Sequence, residues 1–237
     1  MLGRFLEVSV HAPEPLESLR FYERLGFTQA PVGDIWRHPY AVVTDGRLFI
    51  GLHGYEFPSP SLTFVQPDLM ANLERIEALG VELAFRMLGA DVFNEAGFTD
   101  PNRQMIAMLE ARTYSPPQRR SHETSRLGWF EEFALPAQDL EGSARWWEQL
   151  GFVAAETAEE PWPRVGLTSD SLNVGLVGAG NLRMPVLVFR EPDMPGRIRA
   201  LTESGVEFSR SLPRALDPHE NALLVAPEGT LLLLTTG

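Results

Sequence analysis

The chain contains no cysteine. Disulfides, thiolate metal ligation and a cysteine nucleophile are therefore excluded. It also lacks any apolar run approaching the ~18–20 residues of a membrane span, and its first residues show no charged-then-apolar leader. The phosphate-cradling Gly-x-x-x-x-Gly-Lys, the Gly-x-Ser-x-Gly elbow and His-Glu-x-x-His are all missing. Positive charge is scarce: 20 basic residues face 32 acidic ones, for a net charge of −12. A surface of that sign opposes binding to phosphate backbones and anionic bilayers, so neither nucleic acid nor membrane is an expected partner. The expectation is a cytoplasmic protein, monomer or homodimer, whose partner is a small-molecule ligand.

What is present is a sequence that repeats itself in register. Phe21-Tyr22-Glu23-Arg24-Leu25-Gly26-Phe27 returns as Trp146-Trp147-Glu148-Gln149-Leu150-Gly151-Phe152, and Glu7 returns as Glu132. Leu62-Thr63-Phe64-Val65-Gln66-Pro67-Asp68 returns as Leu187-Val188-Phe189-Arg190-Glu191-Pro192-Asp193 at the same offset. Such a repeat makes each half a complete unit. With 237 residues and 44% hydrophobic content, there is material for two cores of common domain size. The expected organisation is a first module over 1–113, a linker over 114–126 and a second module over 127–237. The linker carries Pro116-Pro117 and the one basic cluster, Arg119-Arg120 with Arg126.

Within each half the pattern repeats again. Glu14, Asp68, Asp139 and Asp193 each stand twelve residues before a glycine: Gly26, Gly80, Gly151 and Gly205. The acidic residue marks a helix N-terminus, where it meets unpaired N–H groups and the positive dipole end. The glycine supplies the left-handed residue that stops the helix. A short strand precedes each helix: Phe5–Val10, Leu62–Val65, Phe130–Leu135 and Val186–Phe189. After the first helix, Ala41–Thr44, Asp45-Gly46 and Leu48–Leu52 read as a hairpin. The unit is strand–helix–strand–strand–strand, four times over.

That unit, with Phe-Tyr-x-x-Leu-Gly-Phe closing the first helix and Asp100-Pro101-Asn102-Arg103-Gln104 before a last strand, resembles the vicinal oxygen chelate superfamily. The second half keeps Trp-Trp-x-x-Leu-Gly-Phe and a degraded Ala226-Pro227-Glu228-Gly229. The superfamily includes glyoxalase I, the bleomycin-resistance proteins and the extradiol dioxygenases. The resemblance implies an α+β fold of two tandem glyoxalase-like modules, each of two βαβββ units forming a curled, half-open mixed sheet. It also implies four metal-ligand positions per module. Counted from the matching motifs, these fall on Glu7, Gly51, Ser61 and Ala107, and on Glu132, Gly175, Val186 and Leu233. Glycine, alanine, valine and leucine side chains donate nothing, whereas a catalytic zinc site normally takes three protein ligands. A slip in the fourth strand would add only His53 to Glu7. No cofactor is expected, with a divalent metal as the alternative.

Strand alternation places Glu7, Ser9, Phe49, His53, Ser61 and Thr63 on one cleft face of the first module. Trp36, His38 and Tyr55 are expected at its rim, where aromatics offer large area at small entropic cost. That mixture suits an organic ligand with a few polar handles. In the second module, Glu132 stands among Ala134, Val177, Val186, Val188, Leu231 and Leu233, with Arg164 or Arg190 as its candidate partner and Trp162 at the rim. This greasier cleft either holds an apolar ligand or is packed shut against the other half, the packed-shut, structural role being the main expectation. Trp146 and Trp147 read as core, and His219 as a turn residue.

The main functional expectation is metal-independent binding of a small hydrophobic or aromatic molecule in the first cleft, in the manner that likeness to the bleomycin-resistance proteins implies. On this reading Glu7→Ala abolishes binding and spares the fold. The alternative is a lyase, isomerase or dioxygenase using a divalent metal or Glu7 as a base. A third reading is a scaffold with both clefts filled.

Overall fold

The computed structural model describes residues 1–31, 38–111 and 125–236. Most of the expected linker, including Arg119, Arg120 and His122, lies outside the described residues, as does Trp36.

The first sheet has eight strands. Its elements run β1 (Arg4–His11), α1 (Pro15–Arg24), β2 (Thr28–Ala30), β3 (Tyr40–Thr44), β4 (Phe49–His53), β5 (Ser61–Gln66), α2 (Leu69–Glu77), β6 (Leu83–Met87), β7 (Glu95–Thr99) and β8 (Met105–Glu110). The strand order is β2-β3-β4-β1-β5-β8-β7-β6. β1 and β5 meet antiparallel at the centre, and each pairs in parallel with the last strand of its own unit, β4 and β8. A parallel neighbour requires a crossover connection, which here carries a helix.

The second sheet repeats this plan with seven strands. Its elements are β9 (Trp129–Ala137), α3 (Leu140–Gln149), β10 (Val153–Ala158), β11 (Arg164–Thr168), β12 (Asn173–Gly178), β13 (Val186–Arg190), α4 (Met194–Glu203), β14 (Ala222–Val225) and β15 (Leu231–Thr235). Their order is β10-β11-β12-β9-β13-β15-β14. Neither sheet closes, and the two sheets with four helices make the α+β fold. No helix among the described residues is long and apolar enough to cross a membrane.

Three of the four repeats are complete, and the fourth lacks the strand after α4. Residues 206–221 run there without a ladder, held by turns such as Leu216 N–H to Pro213 O and Glu220 N–H to Asp217 O. Pro213 and Pro218 remove two of the N–H donors an edge strand would need. A single backbone bond, Ser209 N–H to Leu223 O at 2.8 Å, joins this segment to β14.

The helix punctuation follows the local chemistry. Asp68, Asp139 and Asp193 accept N–H bonds from Ala71, Gly142 and Gly196 at 2.9–3.1 Å. Glu14 makes no side-chain cap, and Pro15 opens α1 instead, where its missing N–H costs nothing. Gly26 and Gly151 end α1 and α3 at φ of +88° and +104°, which side chains rarely adopt.

One apolar core runs through both modules. Trp147 is fully buried in it, and Phe27–Phe189 and Phe98–Trp146 are edge-on aromatic pairs that cross between the modules. The crossing is two-fold in pattern. The Asp-Pro turn of the first module reaches α3: Asp100 accepts from Trp147 Nε1 at 3.3 Å, and Asn102 donates to Ser143 Oγ at 2.9 Å. The corresponding turn of the second module reaches α1: Glu228 accepts from Tyr22 OH at 2.8 Å and Ser18 Oγ at 2.6 Å. Ser18 and Tyr22 are the repeat partners of Ser143 and Trp147. Burial, with the Glu228 charge beside it, holds the Tyr22 phenol well above its ordinary pKa. Arg126 adds a further tie. Its N–H donates to Leu25 O, and its guanidinium to Arg24 O, Ala200 O and Ser204 Oγ, so one cation serves the C-terminal ends of α1 and α4.

One buried group stands out. Neither amide atom of Gln66 has a hydrogen-bond partner among the described residues, although the residue is 4% exposed. An unsatisfied buried amide costs about 1–3 kcal/mol. Gln66→Met keeps the chain length and removes both polar atoms, and is expected to raise stability by about 1 kcal/mol. Thermal unfolding checks this: an unchanged or lower midpoint would mean that the amide is satisfied in solution.

Candidate functional site

The register of the first sheet gathers a polar cluster on one face. β1 sets Glu7 opposite Thr63 and Ser9 opposite Ser61 on β5, while Ser9 lies beside Gly51 on β4. β3 brings Tyr40 opposite His53. The Glu7 carboxylate is 3% exposed and accepts three hydrogen bonds. Ser9 Oγ and His53 Nε2 approach Oε1 at 2.9 and 3.0 Å, and Tyr40 OH donates to Oε2 at 2.8 Å. Ser9 Oγ also lies 2.7 Å from Thr63 Oγ1.

The chain of contacts continues outward. His53 Nδ1 lies 3.1 Å from His38 Nε2, so Glu7, His53 and His38 form a relay from a buried carboxylate to a half-buried imidazole. With Glu7 ionised, His53 Nε2 carries the proton of their bond, and His53 Nδ1 accepts from His38. Burial, then the neighbouring His53, lowers the His38 pKa below its ordinary value, which favours the neutral imidazole. The Tyr55 ring lies 4.3 Å from His38 between centroids, and Phe57 lies 5.0 Å from Tyr55. Tyr55 is 41% exposed, so the relay ends beneath an aromatic rim.

Of the expected site residues, Glu7, Ser9, His38, His53, Tyr55 and Thr63 thus come together. Ser61 is buried on the same face but makes no hydrogen bond to Glu7, and Phe49 is half-buried. Tyr40 was not among the expected residues. Alternation along β3 puts it on the cleft face, a signal that becomes readable once β3 is aligned to β4.

Both modules share one device at this face. A Cβ on Gly51 would sit 2.1 Å from Glu7 Oε1, and a Cβ on Gly175 would sit 2.2 Å from Glu132 Oε1. The glutamate therefore occupies the space of any side chain at the facing position. This bears on the metal that the fold family implies. Gly51 and Ala107, and Gly175, Val186 and Leu233, offer no side-chain donor. The two Glu7 oxygens are engaged by Ser9, Tyr40 and His53. Among the described residues, no group of three or more His, Asp or Glu could hold a metal ion. The donor set does not fit a chelated divalent ion.

The second cleft departs from expectation. It is not packed shut but holds a cavity of about 330 Å³. Ala134, Val177, Val188 and Leu233 form its apolar floor, and Trp162 lines it. Tyr40 of the first module is replaced by Arg164, because Tyr40 pairs with His53 as Arg164 pairs with Val177. Arg164 donates to Glu132 Oε2 at 2.5 Å, and Arg190 binds Glu131 at 2.7 Å. Burial raises the Glu132 pKa, and the Arg164 charge offsets this only in part. The polar lining that sequence reasoning missed, Asp217, Glu220 and Asn221, comes from the irregular segment before β14. That segment carries no periodicity from which its facing could be read.

No family model matches the sequence, and no curated protein matches it. Solved structures do. Homoprotocatechuate 2,3-dioxygenase from Brevibacterium fuscum, in complex with 3,4-dihydroxyphenylacetate, is similar with a TM-score of 0.64 at 15% identity, covering 99% of this chain and 80% of that one. The Mn(II)-bound glyoxalase from Novosphingobium aromaticivorans gives 0.63 at 14% identity over 99% and 82%. The 2,3-dioxygenase LapB from Pseudomonas sp. KL28 gives 0.61 at 13% identity over 100% and 94%. At such identities the likeness assigns the fold, which is that of the vicinal oxygen chelate superfamily.

Proposed function

We propose, from a chain with the vicinal oxygen chelate fold, that the first module binds a small, partly aromatic molecule without a chelated metal and moves a proton on it. The observation that carries this reading is the Glu7–His53–His38 relay ending beneath Tyr55. A buried carboxylate that orients a histidine, which in turn orients a second imidazole, is an arrangement suited to general acid–base work. The aromatic rings of Tyr40, Tyr55 and Phe57 around the imidazoles supply area for a flat ligand. The chain has no lysine, so a lysine Schiff base is closed to it. Proton transfer, as in an isomerase or lyase, remains. His38 takes the proton, His53 passes the change in hydrogen bonding inward, and Glu7 stabilises the resulting charge.

The test is exchange of the α-proton of enolisable aryl ketones in D₂O, followed by proton NMR. Exchange above the protein-free rate is expected, falling at least about 100-fold in His38→Ala. Its rate should rise with pH and level off below 6.5, because the active form is neutral His38 and its pKa is lowered from that value. Exchange at the protein-free rate throughout the series would overturn the catalytic part. The second reading is binding without turnover, in the manner of the bleomycin-resistance proteins. It draws on the full engagement of Glu7 by its own neighbours. Calorimetric titration with the same ketones separates the two: binding without exchange supports it.

A further inference from the structure

We infer that the second cleft is a separate ligand site that takes a small organic amine. It shares no residue with the first cleft. Its cavity of about 330 Å³ is worth roughly eleven water volumes at ~30 Å³ each, enough for a molecule of about ten heavy atoms.

The charges in the cavity select the ligand. Four carboxylates line it, Glu131, Glu132, Asp217 and Glu220, against two guanidiniums, Arg164 and Arg190. Both guanidiniums are already committed. Arg164 lies between Glu132 and Glu156, at 2.5 and 3.6 Å, and Arg190 pairs with Glu131. An anionic ligand would have to break one of these pairs. A cation would not.

Besides the exposed carboxylates of Asp217 and Glu220, one buried acceptor faces a cation here. Glu132 is 7% exposed; its Oε2 is held by Arg164, while its Oε1 accepts no hydrogen bond from the described residues. Oε1 is nevertheless not sealed in, since the sealed and unpartnered side-chain atoms of the described residues are those of Gln66. Glu132 itself lines the cavity. A buried carboxylate oxygen without a donor calls for a charge-assisted N–H. Trp162, 7% exposed at the wall, adds an aromatic surface of the kind that attracts ammonium groups. The valine and leucine floor accommodates the apolar body of the amine.

Calorimetric titration of the full chain with 2-phenylethylamine tests the assignment, with neutral 2-phenylethanol and anionic phenylacetate as shape-matched comparisons. The amine is expected to bind at least about tenfold more tightly than the alcohol, and phenylacetate more weakly than either. Glu132→Gln should remove the preference for the amine. Because that variant also takes away Arg164's partner, a second one is needed: Leu216→Trp, which fills the mouth from the irregular segment and should abolish binding of all three. No binding of the amine, equal affinity for amine and alcohol, tighter phenylacetate, or amine binding untouched by Leu216→Trp would each overturn the inference. Glu7 and His38 lie outside this cavity, so both variants leave the first cleft intact, and amine binding that survives Leu216→Trp is binding at another site.

Discussion

Glu7→Ala is expected to lower the stability of the protein by about 3–5 kcal/mol, well beyond a local loss of binding. From sequence alone, removing this carboxylate should spare the fold. The structure reverses that expectation. Three donors, from Ser9, Tyr40 and His53, converge on the two carboxylate oxygens within a few per cent of full burial. Alanine would remove the shared acceptor of all three in a place water reaches poorly, and each lost buried bond to a charged group costs about 1–3 kcal/mol. Glu7→Gln retains the shape and one acceptor oxygen, so a smaller loss of about 1–2 kcal/mol is expected. Urea titration of the three proteins checks the order. A Glu7→Ala midpoint within error of the parent would mean that the cluster is hydrated and the relay loose.

The second large effect belongs to Trp147. Trp147→Ala empties a fully buried site in the core shared by both modules and leaves the buried Asp100 Oδ2 without its indole donor. A loss of about 3–5 kcal/mol is expected, which for a chain of this size lowers the melting midpoint by roughly 10 °C. Because the apolar core is continuous and each Asp-Pro-type turn is anchored in the other module, the chain should still melt in one transition. Calorimetry decides: two resolved transitions would show that the modules are energetically independent despite their contacts.

The parts of the fold that were legible are those written in local chemistry. Aspartate before α2, α3 and α4, glycine after each helix, alternation in Phe5–Val10 and its repeats, and the Asp45-Gly46 hairpin are signals that need only a few neighbouring residues. Glu7, Ser9, His53 and Thr63 could be placed on one face because strand alternation is strict. What could not be read depended on register or on chain without a period. Tyr40 reaches Glu7 through the pairing of β3 with β4. Arg164, one of the two partners expected for Glu132, takes the matching place in the second sheet; only the register decides for it over Arg190. The missing eighth strand and the acidic mouth of the second cavity both come from residues 206–221, where prolines and turns replace alternation. The anchoring of Glu228 on Tyr22 was equally hidden, since it joins residues from opposite ends of the chain.

The glutamate lying over a glycine in each sheet also limits what can be made of this scaffold. Gly51 and Gly175 leave no space for a side chain while Glu7 and Glu132 are in place. A designer who installs histidine at position 51 to rebuild a chelate first evicts the carboxylate meant to share the ion. Shortening Glu7 first takes the shared acceptor from its three donors. Each single step leads downhill in stability, so only a paired exchange, with Tyr40 and Ser9 reassigned at the same time, crosses from this architecture to a metal-loaded one. The same geometry acts as a lock against gaining a chelate by single changes, and the glutamate-over-glycine contact occurs twice in one chain.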